Sequence, residues 1–182
     1  KSELGKYLGY LPQDIELFDG SLSDNVTRFG EIDEEQLRVA VEIAGLTNFV
    51  NALPDGVETQ LNADRMKIPG GIKQKIGLAR ALYGNPKLIV LDEPTSNMDS
   101  ESEKVFLKSI QKIKALKSTI VIITHNREIL RVSDLVLTIE NGEQKTFNSM
   151  ENIIKQMKAQ EEKNILEKQK QSFLPMKKDN DS

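Results

Sequence analysis

Two apolar runs, LIVL at residues 88–91 and TIVIIT at residues 119–124, are separated by a stretch whose helical pattern opens at Ser100. Both runs are strand-sized and rich in β-branched residues. Strands joined through a helix lie parallel, because the chain must cross back over the sheet before the second strand begins. The fold class that follows is α/β with a mostly parallel sheet. KYLGYL at residues 6–11, ended by Pro12, reads as a further short strand. DLVLTIE at 134–140 runs into Asn141-Gly142 and then EQKTF, a strong hairpin signal that is expected at the edge of the sheet.

Helical punctuation fills much of what remains. SDNVTRF at 23–29 reads as one or two helical turns. Asp33 has Gln36 three residues on, apolar positions at Leu37, Ala40, Val41 and Ala44, and Gly45 at the end, which predicts a helix with both ends marked. Thr47 can cap a short helix that stops before Pro54. From Gly71, the residues Ile72, Ile76, Ala79 and Leu82 fall on one face of a helix closed by Gly84 and Pro86. Ser100, with Glu103 completing a capping box, starts the crossover helix. Met150, Ile153, Ile154 and Met157 suit a C-terminal helix capped by Asn148 or Ser149, and beyond about Lys158 the mixed-charge sequence predicts a solvated tail.

Composition removes several function classes. Zero cysteines and a single histidine exclude disulfides, zinc-thiolate sites, thiol nucleophiles and multi-histidine metal centres, so any metal here is oxygen-bound. A formal net charge of −3, with no lysine- or arginine-rich block interleaved with aromatics, argues against nucleic acid as a partner. The apolar runs fall far short of the roughly 20 residues needed to cross a bilayer, and the start does not resemble a signal peptide. By itself the chain is expected to be soluble and cytosolic, reaching a membrane only through a partner or another segment. Lys1 in place of Met suggests that these residues belong to a longer polypeptide.

The chemistry concentrates in LIVLDEP. A buried strand of a parallel sheet would deliver Asp92 and Glu93 to the carboxyl edge, where ligands bind in open α/β sheets. Neighbouring carboxylates repel unless a positive group lies near them. A hydrated Mg²⁺ on Asp92, with Glu93 orienting or deprotonating a water, resolves that conflict, whereas a strand end with solvated acids needs no ligand. The next strand exits at Thr124 and His125, so the only histidine should reach the same edge, where a neutral imidazole can bond a γ-phosphate or the attacking water.

These residues also carry a resemblance. YLPQDIELFDGSLSDNVTRFG (10–30), GGIKQKIGLARALYGNPKLIVLDEPTSNMD (70–99) and IVIITHN (120–126) resemble the Q-loop, signature helix, Walker B, D-loop and H-loop of ABC transporter ATPase domains. More narrowly, LPQDIELFDGS, GLARALYGNPK and DEPTSNMD are similar to the ATPases of type I protein secretion, the alkaline-protease exporter class. The likeness covers roughly residues 4–148. It implies a P-loop NTPase core of the ABC type, incomplete at its N-terminus, over residues 1–148, with an inserted helical subdomain at about 14–84 and a C-terminal helix and tail over 149–182. It implies Gln13 as the Q-loop residue sensing Mg²⁺ and coupling to a transmembrane domain, Asp92 as a magnesium ligand, and Glu93 as catalytic base. Gly70 and Gly71 would belong to the signature, Asp99 to the D-loop at a dimer interface, and His125 to the H-loop switch. Gln13 read alone is a loop amide, and Asp99 read alone is a cap for the helix beginning at Ser100. ATP and Mg²⁺ are the implied cofactors. The implied partners are an ABC transmembrane domain, a second ATPase domain in a head-to-tail dimer, and periplasmic adaptor and outer-membrane components, with the chain at the cytoplasmic face of the inner membrane.

Three departures qualify that resemblance. No GxxxxGK(S/T) occurs in the 182 residues, so this chain alone is expected to bind ATP poorly. The family's LSGGQ stands here as Ile68-Pro69-Gly70-Gly71-Ile72, and proline lacks both the hydroxyl and the N–H of the serine it replaces. Proline suits a first helical turn, so the shape is expected to survive while a phosphate contact is lost. Finally, NADRMK at 62–67 replaces the loop that contacts the transmembrane domain in exporters. A catalytically degenerate domain pairing with an active ATPase, and a decaying fragment, are the alternatives to the motor.

Overall fold

The computed structural model describes residues 5, 7–61, 67–156 and 159. The expectations placed on residues 62–66 and on the polar tail lie outside the described residues. The chain divides into two compact units, with the boundary between Asn126 and Arg127.

In the first unit, β1 (Leu8–Leu11), β2 (Leu88–Asp92) and β3 (Thr119–Ile123) form a parallel sheet in the order β1-β2-β3. Leu11 pairs with Leu91, and Asp92 pairs with Ile123, so all three strands end at one carboxyl edge. The crossover from β2 to β3 is α5 (Ser100–Ala115), whose inward residues Phe106, Ile110 and Ile113 are buried with Leu11, Ile89 and Leu91. At about 25 cal/mol per Å² of apolar surface, these side chains supply most of the drive that seats helix on sheet. Gly9 permits a closer approach, since a Cβ there would lie 1.9 Å from the Ala81 carbonyl oxygen.

Between β1 and β2 the chain is helical: α1 (Leu22–Thr27), α2 (Glu34–Ile43), α3 (Thr47–Asn51), a 3₁₀ turn at Gly56–Glu58, and α4 (Gly70–Leu82). The α2 ends are those read from the sequence, with Asp33 accepting from the Gln36 N–H and Gly45 at φ +70°. Two starts differ, and of the two caps offered for the crossover helix Asp99 is the one used. α1 begins at Leu22 because Ser21 and Asp24 form a reciprocal capping box there. Thr47 lies inside α3, where Leu46 takes the cap position without a side-chain bond. The crossover helix is capped by Asp99, whose carboxylate accepts from the Ser102 N–H, and Glu103 bonds Asn126 instead of closing a box on Ser100. A carboxylate is the stronger acceptor for the first helical amides, so it takes the cap from the neighbouring serine.

The second unit holds α6 (Arg127–Val132), then β4 (Leu135–Glu140) and β5 (Glu143–Ser149) as an antiparallel pair. Asn141 and Gly142 both have positive φ, as the tight turn between twisted strands demands. The hairpin is as expected, but it is not the edge of the parallel sheet: among the described residues β4 and β5 form a sheet of their own. The turn residues fix only the pairing within the hairpin, and they carry no information about a third strand. A further helix covers residues 150–156, where the Asn152 N–H donates to Ser149 Oγ.

A candidate nucleotide site at the carboxyl edge

Asp92 ends β2, and Glu93 begins the turn that leaves it. The Glu93 N–H donates to the Ile123 carbonyl at 2.9 Å, and the Glu93 carbonyl accepts from the Ser96 N–H. Glu93 has φ +42°. That region is uncommon for a residue with a side chain, and a residue before proline is further biased away from it. Backbone held this way costs on the order of 1–3 kcal/mol and concentrates at functional sites. Its effect here is to turn a carboxylate off the strand toward the exit of β3. There His125 Nε2 lies 3.6 Å from Glu93 Oε1, with the imidazole 99% exposed and the carboxylate 22% exposed. The structure therefore brings Asp92, Glu93 and His125 to one edge, with the histidine open to whatever binds above it.

The loop following Glu93 is pinned from below. Asn126 Nδ2 donates to Glu103 Oε1 at 3.1 Å and to the buried Thr95 hydroxyl at 3.4 Å, tying the end of β3 to the loop after β2 and to α5. Sequence reasoning passed over Asn126, although its position directly after the only histidine was a usable signal. Asp99 is exposed and caps α5. The Ser102 N–H, then the Ser102 hydroxyl, hold its carboxyl below the usual range, with a smaller pull from Lys75 and burial acting the other way.

Gly70 and Gly71 open α4 beside this loop. A Cβ on Gly70 would stand 3.5 Å from Asn97 Cβ, and one on Gly71 would stand 3.7 Å from Ser102 Oγ. Pro69 is the N-cap of α4 and not a residue of its first turn: its carbonyl accepts from the Ile72 and Lys73 N–H groups, and no side chain caps the helix. With Ile72 and Lys73 bonded to that carbonyl, the amides at the very start of the helix are those of Gly70 and Gly71, and leading amides of a helix suit an anion.

Gln13 leaves β1 at the same edge, two residues beyond Leu11, with its side chain exposed. Its carbonyl accepts from Nε2 of Gln74, a residue 2% exposed on α4. Gln74 was missed because the apolar periodicity of α4 was followed and the polar residue on its buried face was not. For a metal, the residues at this edge offer carboxylate and amide oxygens, the donors a hard divalent cation prefers. Among the described residues no group of three or more acidic or histidine side chains is placed to hold one by itself.

A parallel sheet whose carboxyl edge gathers an acidic pair and a histidine, with a glycine-opened helix beside it, is the α/β class of fold in which ligands bind at that edge. The chain belongs to the ABC transporter family, whose model matches residues 1–96. It is 37% identical over 155 residues to the type I secretion system ATP-binding protein PrsD of Rhizobium meliloti (strain 1021), covering 85% of this chain and 27% of that protein. It is 34% identical over 146 residues to the ATP-dependent lipid A-core flippase of Ralstonia nicotianae, covering 78% of this chain and 24% of that one. Among solved structures, a bacterial Atm1-family ABC exporter with ATP bound is similar with a TM-score of 0.74 and 26% identity, over 85% of this chain and 27% of the exporter. The chain thus spans about a quarter of the length of these relatives. No helix among the described residues is long and apolar enough to cross a membrane.

Proposed function

We propose that this chain is part of the ATP-hydrolysing motor of an ABC exporter of the type I protein secretion class, driving an unfolded polypeptide across the inner membrane. The observation that carries the reading is the approach of His125 to Glu93 within 3.6 Å at the strand edge that also holds Asp92. The secretion class is supported by the likeness to PrsD over most of the chain, although the relatives also include a lipid flippase.

In this reading Glu93 orients and deprotonates the attacking water, and His125, exposed and beside it, donates to the γ-phosphate. Asp92 and Gln13 would hold Mg²⁺, which when bound neutralises charge on the phosphates. Gly70 and Gly71 present the start of α4 to the nucleotide of a second ATPase domain in a head-to-tail dimer, and Asp99 lies at that dimer interface. Gln13 reports the state of the site to a transmembrane domain. The whole works at the cytoplasmic face of the inner membrane, with adaptor and outer-membrane components completing the route. Mg²⁺-dependent ATP hydrolysis by the full-length protein, with Glu93→Gln as control, is the test.

One observation favours a second reading, in which the domain is a weak or non-hydrolysing partner of a better ATPase. Pro69 occupies the cap of α4 with no side-chain oxygen and no N–H to offer. A hydrogen bond to a charged group contributes about 1.5–3 kcal/mol, so losing one there weakens dimer closure about tenfold or more.

A further inference from the structure

The segment Gln13–Phe18 belongs to no helix or strand, yet it is fastened at both ends and in the middle. Its fastenings are side chains of α1 and α4. Gln74 Nε2 holds the Gln13 carbonyl at 3.1 Å. Both terminal nitrogens of Arg80 hold the Glu16 carbonyl at 3.2 Å, while Arg80 Nε holds the Asn25 carbonyl at 2.8 Å. Asn25 in turn donates to the Phe18 carbonyl and accepts from the Phe18 N–H, each at 2.9 Å. The Arg80 guanidinium lies 5.3 Å from the centroid of the Phe18 ring. Between these anchors Ile15 sits against Gly77, where a Cβ would come within 2.7 Å of Ile15 Cδ1. Gln74, Gly77 and Arg80 recur every three residues along α4, so successive turns of that one helix hold successive parts of the segment.

We infer that Gln74 and Arg80 are positioning residues that lock the Gln13 segment to α4, so that Gln13 and the Gly70–Gly71 helix start move as one piece. Gly71 lies within one turn of Gln74, and a rigid helix carries displacement at one end to the other. Neither residue touches the nucleotide in the reading above; they act through Gln13. Arg80 serves two carbonyls, of Glu16 and Asn25, at once because its planar fork offers donors in fixed divergent directions. A lysine keeps the charge but not that geometry.

The inference rests on the functional reading only in its catalytic arm. In the full-length protein, Arg80→Lys is expected to lower kcat for Mg-ATP about tenfold while KM changes less than about twofold, as the loss of one charge-assisted hydrogen bond allows. In a Gln13→Ala background the same change should then cost less than about twofold, because coupled residues are not additive. An equal loss in both backgrounds would mean that Arg80 only stabilises the fold and would overturn the inference. Hydrogen exchange without nucleotide tests the fastening by itself. Arg80→Lys and, separately, Gln74→Leu should speed exchange at Ile15–Phe18 about tenfold or more, with α5 unchanged. Unchanged exchange there would overturn the inference even if hydrolysis is normal. An unsubstituted protein that hydrolyses no ATP would instead reject the functional reading and leave the exchange result to decide the fastening.

Discussion

Glu93 adopts a left-handed backbone although it carries a side chain and precedes Pro94, and its N–H is bonded to the end of β3. Strain of this kind persists only where neighbours over-determine it. The sequence made Asp92, Glu93 and His125 legible because each ends or follows a strongly apolar strand. It pointed to Asn126 only by its place after the histidine, since the partners Thr95 and Glu103 come from the loop after β2 and from α5. Asp99 shows how one residue can answer to two readings: it caps α5, and it stands on the loop that neighbours Gly70. Because its folded carboxyl is held below the ordinary value, chiefly by the Ser102 N–H, the stability it contributes is present above the unfolded value of about 4 and is lost as pH falls through the lower folded one. Asp99→Asn keeps an acceptor at the cap but removes the titration. Its urea midpoint, measured from pH 6 to pH 2.5, should fall less steeply than that of the unsubstituted chain; identical slopes would show that the cap does not titrate as described.

At the scale of elements, the helices with strong local end signals were read well. Asp33 and Gly45 bracket α2 as expected, and Asn141-Gly142 makes the turn between β4 and β5. Ser100 failed as a cap because Asp99 takes that place one residue earlier, Thr47 lies inside α3 with no side chain capping the helix, and α6 was missed because six residues carry too little periodicity. The tightest packing constraint, Gly9 beneath Ala81, could not be read from spacing at all. Gly9→Ala drives a Cβ into a backbone carbonyl and should destabilise the chain by about 3 kcal/mol or more. Gly71→Ala, which meets nothing closer than 3.7 Å, should stay within about 1 kcal/mol of the original in the same denaturation experiment. For α4, Pro69→Ser restores a side-chain oxygen at the cap. In the full-length protein it should raise ATP turnover severalfold, whereas no change would show that this helix start does not limit the reaction.

Over the whole molecule, apolar residues stand exposed on several strands: Val121 and Ile123 on β3, Leu135, Leu137 and Ile139 on β4, and Phe147 on β5. On β3, and separately on the β4–β5 hairpin, exposed side chains of this kind are apolar surface that water alone covers here. The fold class was legible from strand spacing alone. The placement of the hairpin was not, because pairing between distant strands is decided by packing that no local pattern records. Whether the Asp92, Glu93 and His125 edge hydrolyses ATP, as proposed, is read from Mg²⁺-dependent phosphate release by the full-length protein with and without Glu93→Gln. Under the proposed function hydrolysis falls by about 100-fold or more in the variant while ATP binding is retained, as expected when a general base is neutralised. Hydrolysis that is unchanged by Glu93→Gln would contradict it.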